Sequence, residues 1–412
     1  MYNFRWTNLL ALLFILMIFS SFKQVSAPLN QGTWRGVFKL PANEIPFMFE
    51  IKSKGSDSIS VFLINGADRF PIRHVSYRND SITIPVDLYD TVLKAKVSGN
   101  TMQGRLFKLN TAKPDSGVPF NAVCGKLPRF AESTVSPSVS LQGTWDMVIG
   151  TGEDAEKTVG IFEQKGSILT GSILTTTGDY RFFEGVVRGK NFELSAFGGS
   201  TPYLLKGDFS SNDAFSGEFV TPRKTIKIEG KRNPNAALPD AYKVSYLKEG
   251  YSTIAFSFPN LDGKMVSLAD QAYKGKVVIV TILGSWCPNC LDENKFLSGW
   301  YKENRSRGVE IIGLGFERKN DFESAKKTLG SLKARLGIEY EILFAGQSGT
   351  ESASKALPQL NGISSFPTTI FIDKKGNVRK VHSGFSGPAT GKFFEEFKTE
   401  FNQLIDELVN EK

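Results

Sequence analysis

Only three cysteines and two histidines occur in 412 residues. A structural zinc site needs about four ligands. Beyond Cys287 and Cys290 the chain can offer only His74 and His382, with no second cysteine pair, so no metal is expected. The same scarcity argues against a disulfide-braced secreted fold, which carries many cysteines in a short chain. Charge of one sign is also unclustered. The net charge is +8, but no block of five or more like charges stands out. Scattered lysines make a solvated surface rather than a nucleic-acid interface. The apolar run from Leu9 to Phe19 is too short to span about 30 Å of hydrocarbon comfortably, yet it suits the h-region of a signal peptide. Residues 1–27, with Arg5 before the run and Val25-Ser26-Ala27 after it, are read as a signal peptide or an uncleaved anchor. No cysteine follows the run to accept a lipid. The expectation is an exported, periplasmic protein, with a possible membrane tether through this segment, in a compartment where thiols tend to oxidise.

What is present falls into three blocks. Gln31-Gly32-Thr33-Trp34 recurs as Gln142-Gly143-Thr144-Trp145, 111 residues later. After each copy come short alternating segments broken by Gly, Asn, Asp and Ser, the pattern of antiparallel strands. Residues 28–130 and 140–233 are therefore expected to form two repeated antiparallel β-domains, sandwiches or small barrels, with linkers at Ala131–Val139 and Asn233–Ala241. The third block, 247–412, changes in kind. "STIAFSFPNLDGKMVSLAD" predicts a hairpin turning at Asp262-Gly263, "KVVIVTIL" a buried strand, and a helix follows Cys287. "VEIIGLGF" and "YEILFAG" read as further strands around the helix "DFESAKKTLGSLKARLG". A hairpin turning at Lys375-Gly376 and a helix from about Lys392 to Val409 complete a mixed α/β sheet.

Cys287-Pro288-Asn289-Cys290 is where chemistry is expected. With Cys287 at the helix N-cap, Pro288 falls at N1, where its missing N–H costs nothing. The next amides then point at the Cys287 sulfur and, with the helix dipole, favour its thiolate. Cys290, one turn on, can attack a mixed disulfide formed on Cys287. A purely local structural disulfide is the weaker reading, because so small a loop stabilises little through chain entropy. Cys290, Glu293, Leu297 and Trp300 share the helical stripe expected to face the sheet. A desolvated Glu293 carboxyl there would have a raised pKa and could exchange protons with Cys290; the alternative is a solvated helix glutamate. Phe366-Pro367 precedes the strand "TTIFID".

Together these motifs resemble the exported thioredoxin-like proteins of the TlpA/ResA type over about Ser252 to Val409. The resemblance implies a thioredoxin fold in which Cys287 attacks, Cys290 resolves and Glu293 tunes the pair. It also implies that Trp286, Pro288, Asn289, Phe366 and a cis Pro367 meet the substrate. Two positions depart from the family pattern. Asn289 stands where proline often precedes the second cysteine, and Asn294-Lys295 replace a proline often found after the glutamate. The implied function is a protein thiol–disulfide oxidoreductase, a reductase by family tendency, needing no cofactor beyond the dithiol. Its implied partners are protein disulfides or dithiols and a membrane-embedded electron donor. A thiol peroxidase is the alternative enzyme class, although the threonine usual three residues before the peroxidatic cysteine is Gly284 here. A binding protein whose β-repeats carry the function is the third reading. Cys124 is expected to be a buried apolar thiol, and His382 a structural residue.

Overall fold

The computed structural model describes residues 29–53, 59–109 and 115–411; the proposed signal peptide or anchor lies outside them. Among the described residues, no helix is long and apolar enough to cross a membrane.

The first repeat consists of β1 (Gly32–Lys39), β2 (Glu44–Ser53), β3 (Ile59–Asn65), β4 (Asp68–Ile72), β5 (Ser76–Arg78), β6 (Ser81–Val86), β7 (Thr91–Ser98), β8 (Thr101–Lys108) and β9 (Val118–Cys124). They pair in the order β4-β3-β2-β1-β9-β8-β7-β6-β5. First and last strands meet in the middle, and the sheet stays open between β4 and β5. The second repeat holds β10 (Gly143–Ile149), β11 (Glu156–Lys165), β12 (Ile168–Thr175), β13 (Gly178–Asp179), β14 (Phe183–Arg188), β15 (Asn191–Ala196), β16 (Tyr203–Ser211), β17 (Ala214–Val220) and β18 (Thr225–Arg232). Here β11 also pairs with β12, so the meander closes into a barrel.

The repeated tetrapeptide does the same work in both. Gly32 and Gly143 sit at φ +103° and +108°, a conformation glycine adopts without a Cβ penalty. Gln31 Oε1 accepts from the Ser53 N–H at 3.2 Å, and Gln142 Oε1 from the Gln164 N–H at 2.6 Å. Trp34 and Trp145 are fully buried, and each indole N–H donates to the carbonyl four residues back, Asn30 or Leu141. The motif thus anchors the first strand to the second and seeds the core.

Those cores differ. The barrel fills its interior with Trp145, Phe162, Phe183, Phe192, Phe215 and Phe219, as a small closed barrel can. The open sheet's core, around Trp34, Phe38 and Phe47, is continuous with that of the C-terminal domain. It also takes in Phe197 from the barrel's β15–β16 loop, which packs edge-on to Phe38 and Phe47 at 4.9 and 5.3 Å between ring centroids. Asn65 bonds both backbone groups of Phe197 at 2.9 Å.

The C-terminal domain begins with a short hairpin, β19 (Ser257–Pro259) and β20 (Met265–Ser267). Its central sheet runs β23-β22-β21-β24-β25, built from β21 (Val277–Leu283), β22 (Val309–Glu317), β23 (Glu341–Gln347), β24 (Thr368–Ile372) and β25 (Val378–Ser383). β21 is buried at every residue, which explains its unbroken apolar run. It pairs parallel with β22 and antiparallel with β24. Helices α1 (Pro288–Asn304), α2 (Phe322–Leu336), α3 (Thr350–Ala356) and α4 (Lys392–Asn410) pack against this sheet; α3 has no counterpart in the sequence reading. His382 is buried, faces the Gly384 carbonyl from Nδ1 at 3.1 Å, and is pushed down to about 4 by desolvation. Cys124 departs from expectation: as the last residue of β9 it is only half-buried.

Candidate active site

The strand β21 ends at Leu283 and the chain turns directly into α1, so the loop 284–287 lies at the C-terminal end of the sheet's central strand. Its shape has specific causes. Gly284 is needed because a Cβ there would overlap the Trp286 indole. The buried Glu317 carboxylate accepts from the Ser285 N–H and hydroxyl, both at 2.8 Å, and from the Thr328 hydroxyl at 3.0 Å. Trp286 donates to the Phe316 carbonyl at 2.9 Å. Glu317 was not singled out in the sequence; nothing local marks it, because its partners are distant in the chain.

Cys287 is the N-cap of α1, with φ −96° and ψ 118°, and Pro288 opens the helix. The Cys287 sulfur accepts the Cys290 N–H at 3.2 Å. Its thiol also lies 3.5 Å from the carbonyl of Phe366, the residue joined to Pro367 by a cis peptide bond. Cys287 is 5% exposed and Cys290 wholly buried. Burial first, and then the neighbouring Cys287 sulfur, raises the Cys290 thiol well above its ordinary range. All three described cysteines are free thiols.

Glu293 points into the sheet from the next turn of α1 and is 1% exposed. Burial pushes its carboxyl up to about 7, partly offset by the Thr281 and Thr369 hydroxyls, which donate to its two oxygens at 2.6 and 2.7 Å. The carboxylate also helps to raise Cys290. Asn294, at one of the positions that depart from the family pattern, is buried; its Nδ2 donates to the Cys290 carbonyl at 2.7 Å, and its Oδ1 accepts from Tyr340.

The five residues expected to meet substrate divide between two sides of the motif. Trp286 and Phe366 stack obliquely at 5.4 Å between centroids, with Pro367 beside them. Pro288 and Asn289 instead face the β-repeats. The segment Thr176–Arg181 of the barrel lies on this face, and a Cβ at Gly178 would overlap the Asn289 carboxamide. Asp179 accepts the Gly387 N–H at 2.8 Å. Arg181 reaches Asp292 on α1 at 3.3 Å, Asp68 of the open sheet at 3.6 Å, and the Tyr89 hydroxyl at 3.2 Å. Burial raises the Asp292 carboxyl to about 6, although Arg181 pulls it down. Thus one arginine ties the barrel, the open sheet and the CxxC helix together. No local pattern in the sequence marks this junction.

A thiol pair at a helix N-terminus beside a cis-proline loop and a buried carboxyl defines a thioredoxin-like redox domain. Residues 250–381 match the model of the AhpC/TSA family. Among curated relatives, the thiol-disulfide oxidoreductase ResA of Halalkalibacterium halodurans is 28% identical over 163 residues, 39% of this chain and 79% of that protein. ResA of Bacillus subtilis is 25% identical over 138 residues, 34% of this chain and 69% of that protein. A solved thiol:disulfide interchange protein of the thioredoxin family from Chlorobium tepidum is 23% identical, covering 40% of this chain and 99% of its own, at a TM-score of 0.30. On the family match and the ResA relatives, the C-terminal domain is a thioredoxin-like domain of the thiol–disulfide oxidoreductase kind, as its motifs imply. The family match starts after both β-repeats.

Proposed function

We propose that the protein is an exported thiol–disulfide oxidoreductase acting on protein disulfides in the reducing direction. The observation that carries this reading is the Cys287 sulfur at the N-cap of α1, taking the Cys290 N–H. In the reducing direction, the Cys287 thiolate attacks one sulfur of a substrate disulfide. A mixed disulfide forms and one substrate thiolate leaves. Cys290 then loses its proton and attacks the Cys287 sulfur, releasing the second substrate thiolate and leaving Cys287–Cys290 oxidised. Two electrons pass to the substrate, and the dithiol itself is the redox group, so no other cofactor is proposed. In this reading Glu293 takes the Cys290 proton, since a carboxyl with a pKa of about 7 both accepts and returns protons near neutrality. Reduced enzyme is regenerated by a dithiol donor, proposed to be membrane-embedded, and the N-terminal apolar segment serves as export signal or tether.

The peroxidase alternative fares worse on geometry. The space that a threonine side chain would need at position 284 is filled by the Trp286 indole. Turnover of a protein disulfide and of hydrogen peroxide by the wild type and Cys287→Ser tests the choice. Disulfide turnover lost in Cys287→Ser is expected; peroxide consumed faster than disulfide would reverse the assignment. With Glu293→Gln, exchange should slow by up to about 10²–10⁴-fold, with a changed pH profile between about pH 5 and 9. Superimposable profiles would remove Glu293 from the proton path.

A further inference from the structure

A cavity of about 240 Å³ lies where the β-repeats meet the CxxC motif, and Pro288 and Asn289 form one of its walls. The rest comes from outside the redox domain. Tyr89 of the open sheet and Tyr180 and Tyr203 of the barrel supply aromatic surface, the latter pair edge-to-face at 5.2 Å. Four charged side chains line it: Asp68, Glu156, Asp179 and Arg181. Arg181 is already engaged by Asp68 and Asp292, and Asp179 accepts from Gly387 and from the Arg181 backbone N–H. Glu156 has no cationic partner among the described residues, and it stands close enough to Tyr180 to oppose ionisation of that phenol. The cavity therefore offers an aromatic-walled passage to an unpaired carboxylate, beside the nucleophilic cysteine.

We propose that this cavity is a specificity pocket that takes the lysine or arginine side chain of a cysteine-bearing polypeptide, with Glu156 as its anchor. This rests on the thiol–disulfide exchange proposed above and deepens it by naming the substrate feature. A long cationic side chain fits the chemistry twice. Its apolar stem lies along the tyrosine rings, where the cation also gains from the ring faces, and its head pairs with the carboxylate in a partly desolvated setting. Because Pro288 lines the cavity and adjoins Cys287, the basic residue is taken to stand close in sequence to the attacked cysteine. The β-repeats then serve as the substrate-reading part of the enzyme.

The test uses the full chain and two peptides alike except for lysine or glutamate two or three residues from the cysteine. Each is prepared as a disulfide for turnover and as an S-methylated, redox-inert form for equilibrium binding. The uncharged bis(2-hydroxyethyl) disulfide is the control substrate. Wild type should bind the lysine peptide about tenfold more tightly, the effect of one charge-assisted hydrogen bond, and show the same preference in KM. Glu156→Gln should shrink the preference to about twofold or less, and Glu156→Lys should invert it, both with unchanged turnover of the control. Equal binding of the two inert peptides by wild type, or a preference that survives Glu156→Gln, would overturn the pocket. Loss of turnover on every disulfide, with selective binding intact, would instead sink the proposed catalytic function and leave the pocket standing.

Discussion

The two β-repeats begin with the same tetrapeptide, bury the same tryptophan and pair first strand to last, yet one closes and the other does not. In the barrel, β11 joins β12, and the ring of strands encloses an aromatic core of its own. In the other sheet, β4 and β5 are the two edges and the interior is completed from outside. Phe197 enters from the barrel. Arg335 of α2 donates to the Pro71 carbonyl at 2.6 Å and lies over the Phe70 ring. Proline in β4 has no N–H to offer a neighbouring strand, which suits an edge. A closed repeat is self-sufficient, whereas an open one becomes a socket. The open repeat is thereby held to the redox domain, and Tyr89 and Asp68 are brought to the CxxC helix.

The sharpest way to break this contrast is to remove the plug. Phe197→Ala should cost about 3–5 kcal/mol, the range for a buried phenylalanine, and the loss should appear in β1 and β2 rather than across the barrel. Phe192→Ala, inside the barrel, should do the converse. Segment-resolved hydrogen exchange distinguishes them; equal loss of protection in both sheets from either variant would show that the repeats unfold as one body.

Acidity separates the two units next. The native Glu293 pKa of about 7 lies above its ordinary 4.5, so the folded state holds this proton more tightly. That contribution is fully present below about pH 4.5 and is lost as pH rises through about 7. Glu293→Gln should therefore gain up to about 3 kcal/mol over wild type between pH 4.5 and pH 8, in the redox domain and not in the barrel. Denaturant midpoints that move in parallel at both pH values would mean that the carboxyl is already stably charged when folded.

A smaller effect is expected at the joint. Asn65→Ala strips both partners from the Phe197 backbone and should cost about 1–3 kcal/mol by leaving a buried N–H and C=O unpaired. An unaltered unfolding midpoint would show that Phe197 is held by packing alone. Smallest of all, Cys124→Ser at the rim of the open sheet should shift stability by no more than about 0.5 kcal/mol and leave disulfide turnover unchanged. A clear loss of turnover would give that half-buried thiol a part in the exchange.

Much of this was legible in local pattern. Period-two alternation and turn residues marked the strands, and the recurring Gln-Gly-Thr-Trp marked the repeat, because its glycine, glutamine and tryptophan act on residues close by. Cys287, Pro288 and Cys290 announced a helix N-cap through short-range stereochemistry. The stripe Cys290, Glu293, Leu297 and Trp300 placed Glu293 towards the sheet, although a solvated glutamate would have read the same. Burial beneath Thr281 and Thr369, contributed by two strands 88 residues apart by number, is what raises its pKa. The closing of one repeat and the opening of the other was not legible, since the two share their alternation and differ in which edges find each other. Nor was the junction at Arg181: Asp68, Tyr89, Asp179 and Asp292 each look like ordinary surface polar residues in sequence. Sequence alone determined the strands, the Cys287–Cys290 spacing and the helix it opens, because those depend on neighbours within a few positions. Only the tertiary structure decided that the β-repeats press against Pro288 and Asn289, because burial and long-range pairing depend on what the rest of the chain brings there.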